Sequence, residues 1–73
     1  MEYTAVLIPA EEGGYVALNP ETGTTTQGET VDEAVANLRE ATALYLEEFP
    51  RNAAASPGRP LVTMFSVGEA VHA

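Results

Sequence analysis

The run Gly23-Thr24-Thr25-Thr26-Gln27-Gly28-Glu29-Thr30 reproduces the glycine spacing of a phosphate-binding loop, G-x-x-x-x-G-K-[ST], but places Glu29 where the lysine should stand. Lysine there reaches the phosphate oxygens, whereas a carboxylate repels them. Such a loop also leaves an apolar strand of a parallel sheet, and no strong apolar strand ends within a residue or two of Gly23. Both observations argue against nucleotide binding. A strand running into a capped helix accounts for the same glycines.

Acid–base and nucleophilic chemistry has little to work with. The chain holds one His, two Ser, three Tyr and no Cys. His72 is the penultimate residue, where a frayed terminus holds a general base poorly. Ser56 falls in a Pro/Gly-rich connection and Ser66 inside an apolar run, and neither has the elbow of a hydrolase nucleophile. Glu11-Glu12 and Glu47-Glu48 invite a divalent cation, yet adjacent helical residues point in different directions, and Asp32 and Glu33 are explained as helix-start charges. Tyr3, Tyr15, Tyr45, Phe49 and Phe65 lack the interleaved cations of a base-stacking surface and read as core and interface. The expectation is a non-enzymatic protein with no catalytic residue, no cofactor and no metal ligand.

Charge narrows the partners. Eleven carboxylates stand against Arg39, Arg51 and Arg59, with no Lys, for a formal net charge of −8. Nucleic-acid binding begins with clustered cations that displace counterions, and no two basic residues lie near one another here. A basic protein is the electrostatic complement, with Glu11, Glu12, Glu40, Glu47 and Glu48 the candidate contact residues. The 73 residues make one domain, 1–73, able to bury only about 60% of the surface its unfolded chain exposes. Without disulfides to supplement that core, association into a homodimer is expected, with Leu44 and Phe65 as candidate interface residues. Met1-Glu2-Tyr3-Thr4 carries no basic leader, and no apolar run approaches the roughly 20 residues of a membrane span, which points to the cytoplasm and away from the membrane.

The elements that position these residues follow from local chemistry. Tyr3 to Pro9 is rich in aromatic and branched residues and closed by proline, so it reads as a strand, apolar on both parities and hence buried. Glu11-Glu12-Gly13-Gly14 supplies a hairpin turn, Tyr15 to Leu18 the returning strand, Asn19 to Gly23 a second turn, and Thr24 to Gln27 a third strand with one wet face. Thr30 then caps a helix, with Glu33 three residues on placed to reach back to the Thr30 amide. Val31, Ala34, Val35, Leu38, Ala41, Thr42, Tyr45 and Phe49 lay an apolar stripe along about five turns, and Pro50 stops the helix. Leu44 and Leu46 fall off that stripe and widen it or face a second surface. Arg51 to Pro60 reads as an exposed connection, Leu61 to Val67 as a buried strand, and Gly68 to Ala73 as a frayed tail.

Gly14-Tyr15-Val16, Gly23, Thr26-Gln27-Gly28-Glu29-Thr30, Asp32-Glu33-Ala34 and Asn37-Leu38-Arg39-Glu40-Ala41, in this order, resemble the HicB-type antitoxin family. That pattern has Gly-Tyr or Gly-Phe opening the second strand, a Pro-x-x-Pro-Gly-Cys-like turn, Gln-Gly-Asp-Thr, and a Glu-Ala-x-x-Asn-x-x-Glu-Ala helix. The resemblance covers Tyr3 to Glu48, with Leu61 to Val67 as the family's closing strand. The turn departs from it, with Asn19 and Thr22 in place of the prolines and Thr24 in place of the cysteine. Many members carry a further DNA-binding module, and with the chain ending at Ala73 none is expected here. The resemblance implies an α+β fold in the order β-β-β-α-β, an antiparallel sheet with one long helix packed on a face, a partial RNase H-like arrangement without catalytic residues. It also implies dimerisation and neutralisation of a small basic HicA-type RNA-cleaving toxin. A stand-alone dimeric module that binds a small ligand or serves structurally is the alternative.

Overall fold

The computed structural model describes residues 2–50 and 60–68. The expected connection over residues 51–59 and the tail after Gly68, with Ser56 and His72, lie outside the described residues. Strands β1 (Val6–Pro9), β2 (Tyr15–Asn19) and β3 (Thr24–Gly28) form an antiparallel sheet in the order β1-β2-β3, and α1 (Val31–Glu48) packs on one face. The architecture is a small α+β fold.

Register decides which residues meet the helix. Leu7 pairs with Ala17, and Ala17 with Thr26, so alternation places all three on the same face. Ala17 and Ala34 are fully buried and Leu38 nearly so, with Leu7 and Tyr15 packed against them. Small side chains at the contact let α1 approach closely enough for the Thr26 hydroxyl to donate to the Ala34 carbonyl at 3.1 Å. Val6, Ile8, Val16 and Leu18 point to the opposite face with Thr25 and Gln27.

Burial of β1 is less than its composition suggests. Val6 and Leu7 are half-buried, and Ile8 is exposed, because β1 is the sheet's edge and α1 lies mainly over β2 and β3. At the other edge, Asn37 Nδ2 donates to the Gln27 carbonyl at 2.8 Å, tying β3 to the helix. The third strand keeps its wet side, with Thr25 and Gln27 exposed.

At the start of α1 three backbones come together without side chains between them. Gly14 has φ +77, and a Cβ there would sit 2.5 Å from the Gly28 carbonyl oxygen. A Cβ on Gly28 would overlap the backbone of Ala34. Thr30 is the N-cap, extended at φ −126 and ψ 166, its hydroxyl accepting from the Glu33 amide at 3.1 Å. The Glu33 carboxylate reaches back to the Glu29 amide at 2.7 Å rather than to that of Thr30, since extended Thr30 leaves the Glu29 N–H facing the first turn. Ala34, Leu38 and Thr42 are the buried positions of the helix, while Val31 and Phe49 at the ends of the expected stripe stay largely exposed. The Phe49 amide closes the last turn on the Tyr45 carbonyl, and the two rings lie 4.9 Å apart.

Leu61 to Val67 does not form the buried strand expected of it. Among the described residues it pairs with no other strand, and Leu61, Met64 and Phe65 are 85% exposed or more. Its alternation is that of a strand, but a strand needs a neighbouring edge, and among the described residues it lies on none.

Candidate functional site

The two ends of α1 build two different surfaces. At the N-terminal end a shallow hollow of about 300 Å³ is bordered by Glu12, Tyr15, Gly28, Glu29 and Glu33. This is where a phosphate loop would hold its ligand. Instead, Glu33 occupies the Glu29 N–H, Thr30 occupies the Glu33 N–H, and the surrounding charge is negative. Gly23, at φ +80, turns β2 into β3, and Gly28 admits the helix backbone. The two glycines of the loop pattern thus each have a folding role.

At the C-terminal end an open groove of about 700 Å³ runs between the chain leading into β1 and the helix. Tyr3, Ala5, Leu38, Ala43 and Leu46 give it apolar walls, and Arg39 and Glu2 also line it. Thr42 borders it with a buried hydroxyl that has no hydrogen-bond partner among the described residues. Such a group costs about 1–3 kcal/mol when left unpaired. Leu46 therefore faces this groove, whereas Leu44 is 58% exposed.

One wall is held by a polar network centred on Asn19, which is 1% exposed. Asn19 Nδ2 donates to the Thr4 carbonyl at 2.8 Å and to the Glu21 carboxylate, while Asn19 Oδ1 accepts from the Thr22 amide at 2.9 Å and its hydroxyl at 2.6 Å. The Thr22 and Thr24 hydroxyls share a further bond of 2.6 Å. Glu21 also accepts from the Thr4 amide at 2.9 Å and the Thr4 hydroxyl at 2.9 Å. Desolvation pushes the Glu21 carboxyl up, but the bonds from Thr4 and Asn19 outweigh it and hold the group below the ordinary value of 4.5. Asn19, Thr22 and Thr24 are thus linked to one another within a single turn. Turn composition alone signals a bend at Asn19 but not its bond to Thr4, fifteen residues away in sequence.

The acidic candidates separate into two groups. Glu11 and Glu12 lie exposed at the β1–β2 turn. Glu40, Glu47 and Glu48 are exposed along α1, and with Leu44 at intervals of three and four they form one ridge. Glu47 and Glu48 occupy the last turn, where the helix dipole disfavours carboxylates, and that turn itself holds no basic residue. Phe65 lies on the exposed segment after Pro60. Among the described residues, no three His, Asp or Glu side chains gather as metal ligands, and no helix is long and apolar enough to cross a membrane.

These features define a small acidic α+β domain with one closed and one open end. The chain is 46% identical to a UPF0150 protein of Synechocystis sp. over 48 residues, covering 64% of this chain and 67% of that one. It is 38% identical to a UPF0150 protein of Thermoplasma acidophilum over 53 residues, covering 71% and 77%. It belongs to the UPF0150 family. No family model matches the chain, and no solved structure does.

Proposed function

We propose that the protein is a non-enzymatic, HicB-like antitoxin, acting as a cytoplasmic dimer that covers a small basic RNA-cleaving toxin. The observation that carries this reading is the ridge Glu40-Leu44-Glu47-Glu48. Carboxylates in the last turn of a helix are unfavourable by about 0.3–1 kcal/mol each, and a cationic partner turns that cost into attraction. The ridge competes with RNA for the toxin's basic surface by offering carboxylates in place of phosphates. In this reading the α+β body is a partial RNase H-like arrangement turned from catalysis to binding.

The test is whether a small basic protein is encoded beside this chain, cleaves RNA, and is inhibited by and co-purifies with it; the lack of such a neighbour overturns the reading. Inhibition that weakens with added salt, and on changing Glu47 and Glu48 to Gln, supports the reading. A neighbouring ribonuclease left fully active at stoichiometric excess overturns it.

The groove bordered by the unpaired Thr42 hydroxyl favours a second reading, a module that binds a small polar ligand. A ligand at 100 times its dissociation constant adds about 2.7 kcal/mol to stability. A metabolite screen by thermal shift therefore separates the two, since the antitoxin reading expects no such stabilisation.

A further inference from the structure

We infer that the groove beside α1 takes a small zwitterion with an apolar body, the class to which free leucine and phenylalanine belong, with its carboxylate toward Arg39 and its ammonium toward Glu2. The inference rests on the ligand-binding reading and names the ligand class that reading leaves open. The antitoxin reading neither requires nor excludes it.

Three observations carry it. First, the groove has the make-up of a small-molecule site. Its volume of about 700 Å³ falls within the roughly 300–1,000 Å³ usual for such pockets, which are mostly apolar with a few polar groups that fix orientation. Leu38 and Leu46 line the helix wall and Tyr3 the facing one.

Second, a polar group that borders the groove lacks a partner. Thr42 is 6% exposed, and its hydroxyl has no hydrogen-bond partner among the described residues. Helical side chains lean toward the helix N-terminus, which places Leu46 over Thr42, so a ligand that moves the Leu46 side chain aside uncovers the hydroxyl. Arg39 stands three residues before Thr42 in the same helix, and residues so spaced are neighbours on its surface. One carboxylate can therefore accept from both the Thr42 hydroxyl and the Arg39 guanidinium.

Third, charge selects a zwitterion. Arg39 is the only Lys or Arg among the described residues, and it borders the groove together with Glu2. The helix thus supplies a cation and the chain leading into β1 an anion. An anionic ligand suits Arg39 but meets Glu2 and the field of a chain with net charge −8. A cationic ligand suits that field but meets Arg39. An uncharged one strips water from both groups and replaces it at neither. A ligand that carries both charges and no net charge complements both walls. Pro60 to Gly68 contains no ionisable side chain, so this stretch of the chain itself matches neither group.

The experiment is titration of the isotope-labelled full chain with leucine, isocaproate, isoamylamine and isoamyl alcohol, followed by NMR shifts, with phenylalanine as a second zwitterion. The last three leucine analogues keep the branched body and lack the ammonium, the carboxylate or both charges. Expected are saturable shifts at Leu38, Thr42 and Leu46 with leucine or phenylalanine, and binding weaker by about tenfold or more for each analogue. Arg39 and Glu2 are exposed, so Arg39→Gln and Glu2→Gln should leave the helix signal in circular dichroism unchanged. Arg39→Gln is expected to erase the preference for leucine over isoamylamine, and Glu2→Gln that over isocaproate. Equal binding of leucine and its analogues, or a different metabolite filling the groove while both amino acids leave it unshifted, overturns the ligand class and leaves the ligand-binding reading standing. A groove unshifted by every probe and by the metabolite screen overturns both. So do NOEs from Phe65 to Leu46 that persist at the highest leucine concentration, since the groove is then filled by protein.

Discussion

The two ends of α1 use the same kinds of residue to opposite effect. At the N-terminal end Thr30, Glu29 and Glu33 satisfy one another and the dipole, and Gly14 and Gly28 bring three backbones into contact. At the C-terminal end Glu47 and Glu48 oppose the dipole, Thr42 keeps an unpaired hydroxyl, and the sheet and helix diverge into a groove. Local polar groups and charges are satisfied at the closed end and left unsatisfied at the open one. The contrast marks where this chain completes its own interactions and where it does not.

Substitution at the closed end carries the largest effect. Gly28→Ala places a methyl against the Ala34 backbone, which cannot rotate away, and is expected to cost about 3 kcal/mol, the upper part of the overpacking range. For a domain of this size that lowers the thermal midpoint by roughly 12–24 °C, and an unchanged midpoint refutes the close approach. Asn19→Ala comes next. It strands the Thr4 carbonyl and the Thr22 donors, and urea unfolding should report a loss of about 2 kcal/mol.

At the open end the sign reverses. Thr42→Val keeps the shape and removes the unpaired hydroxyl, so calorimetry should show a gain of about 1 kcal/mol. A loss would mean that the hydroxyl has a partner in solution. Glu48→Gln removes a charge that opposes the dipole and should stabilise by about 0.3–1 kcal/mol at low salt, an increment that high salt erases. The smallest effect is that of pH on Glu21. Its carboxyl titrates below the ordinary value in the folded chain, so it contributes stability that is present above the unfolded value near 4.5 and is lost as pH falls through the folded one. Glu21→Gln should flatten the stability profile in that acid window alone.

The closed end was also the readable one. Thr30 and Glu33 are three residues apart, and a cap is a local event that propensity and spacing describe. The strands and their turns follow for the same reason, each written within ten residues. What escaped was non-local. Asn19 looks like any turn former until register brings Thr4 beside it, and Gly28 looks like a ligand-binding glycine until Ala34 is seen above it. Both-sided apolarity in β1 and in Leu61 to Val67 reads as burial, yet burial needs a covering element, and neither stretch names its cover. The division of the acidic candidates was legible as well, since Glu11 and Glu12 fall in the hairpin turn and Glu40, Glu47 and Glu48 within the capped helix.

The last turn of α1 sets a timescale as well as a charge. Helices open first where their ends are least supported, and here dipole opposition coincides with the half-exposed Tyr45–Phe49 pair. Amide exchange should therefore run from slow at Ala34 and Leu38 to fast beyond Tyr45. Of the helical residues that border the groove, Leu46 lies beyond Tyr45, so the helix wall is expected to open at that corner while Asn19 fastens the facing chain through Thr4. A molecule seated there would meet one adjustable corner in an otherwise fixed groove.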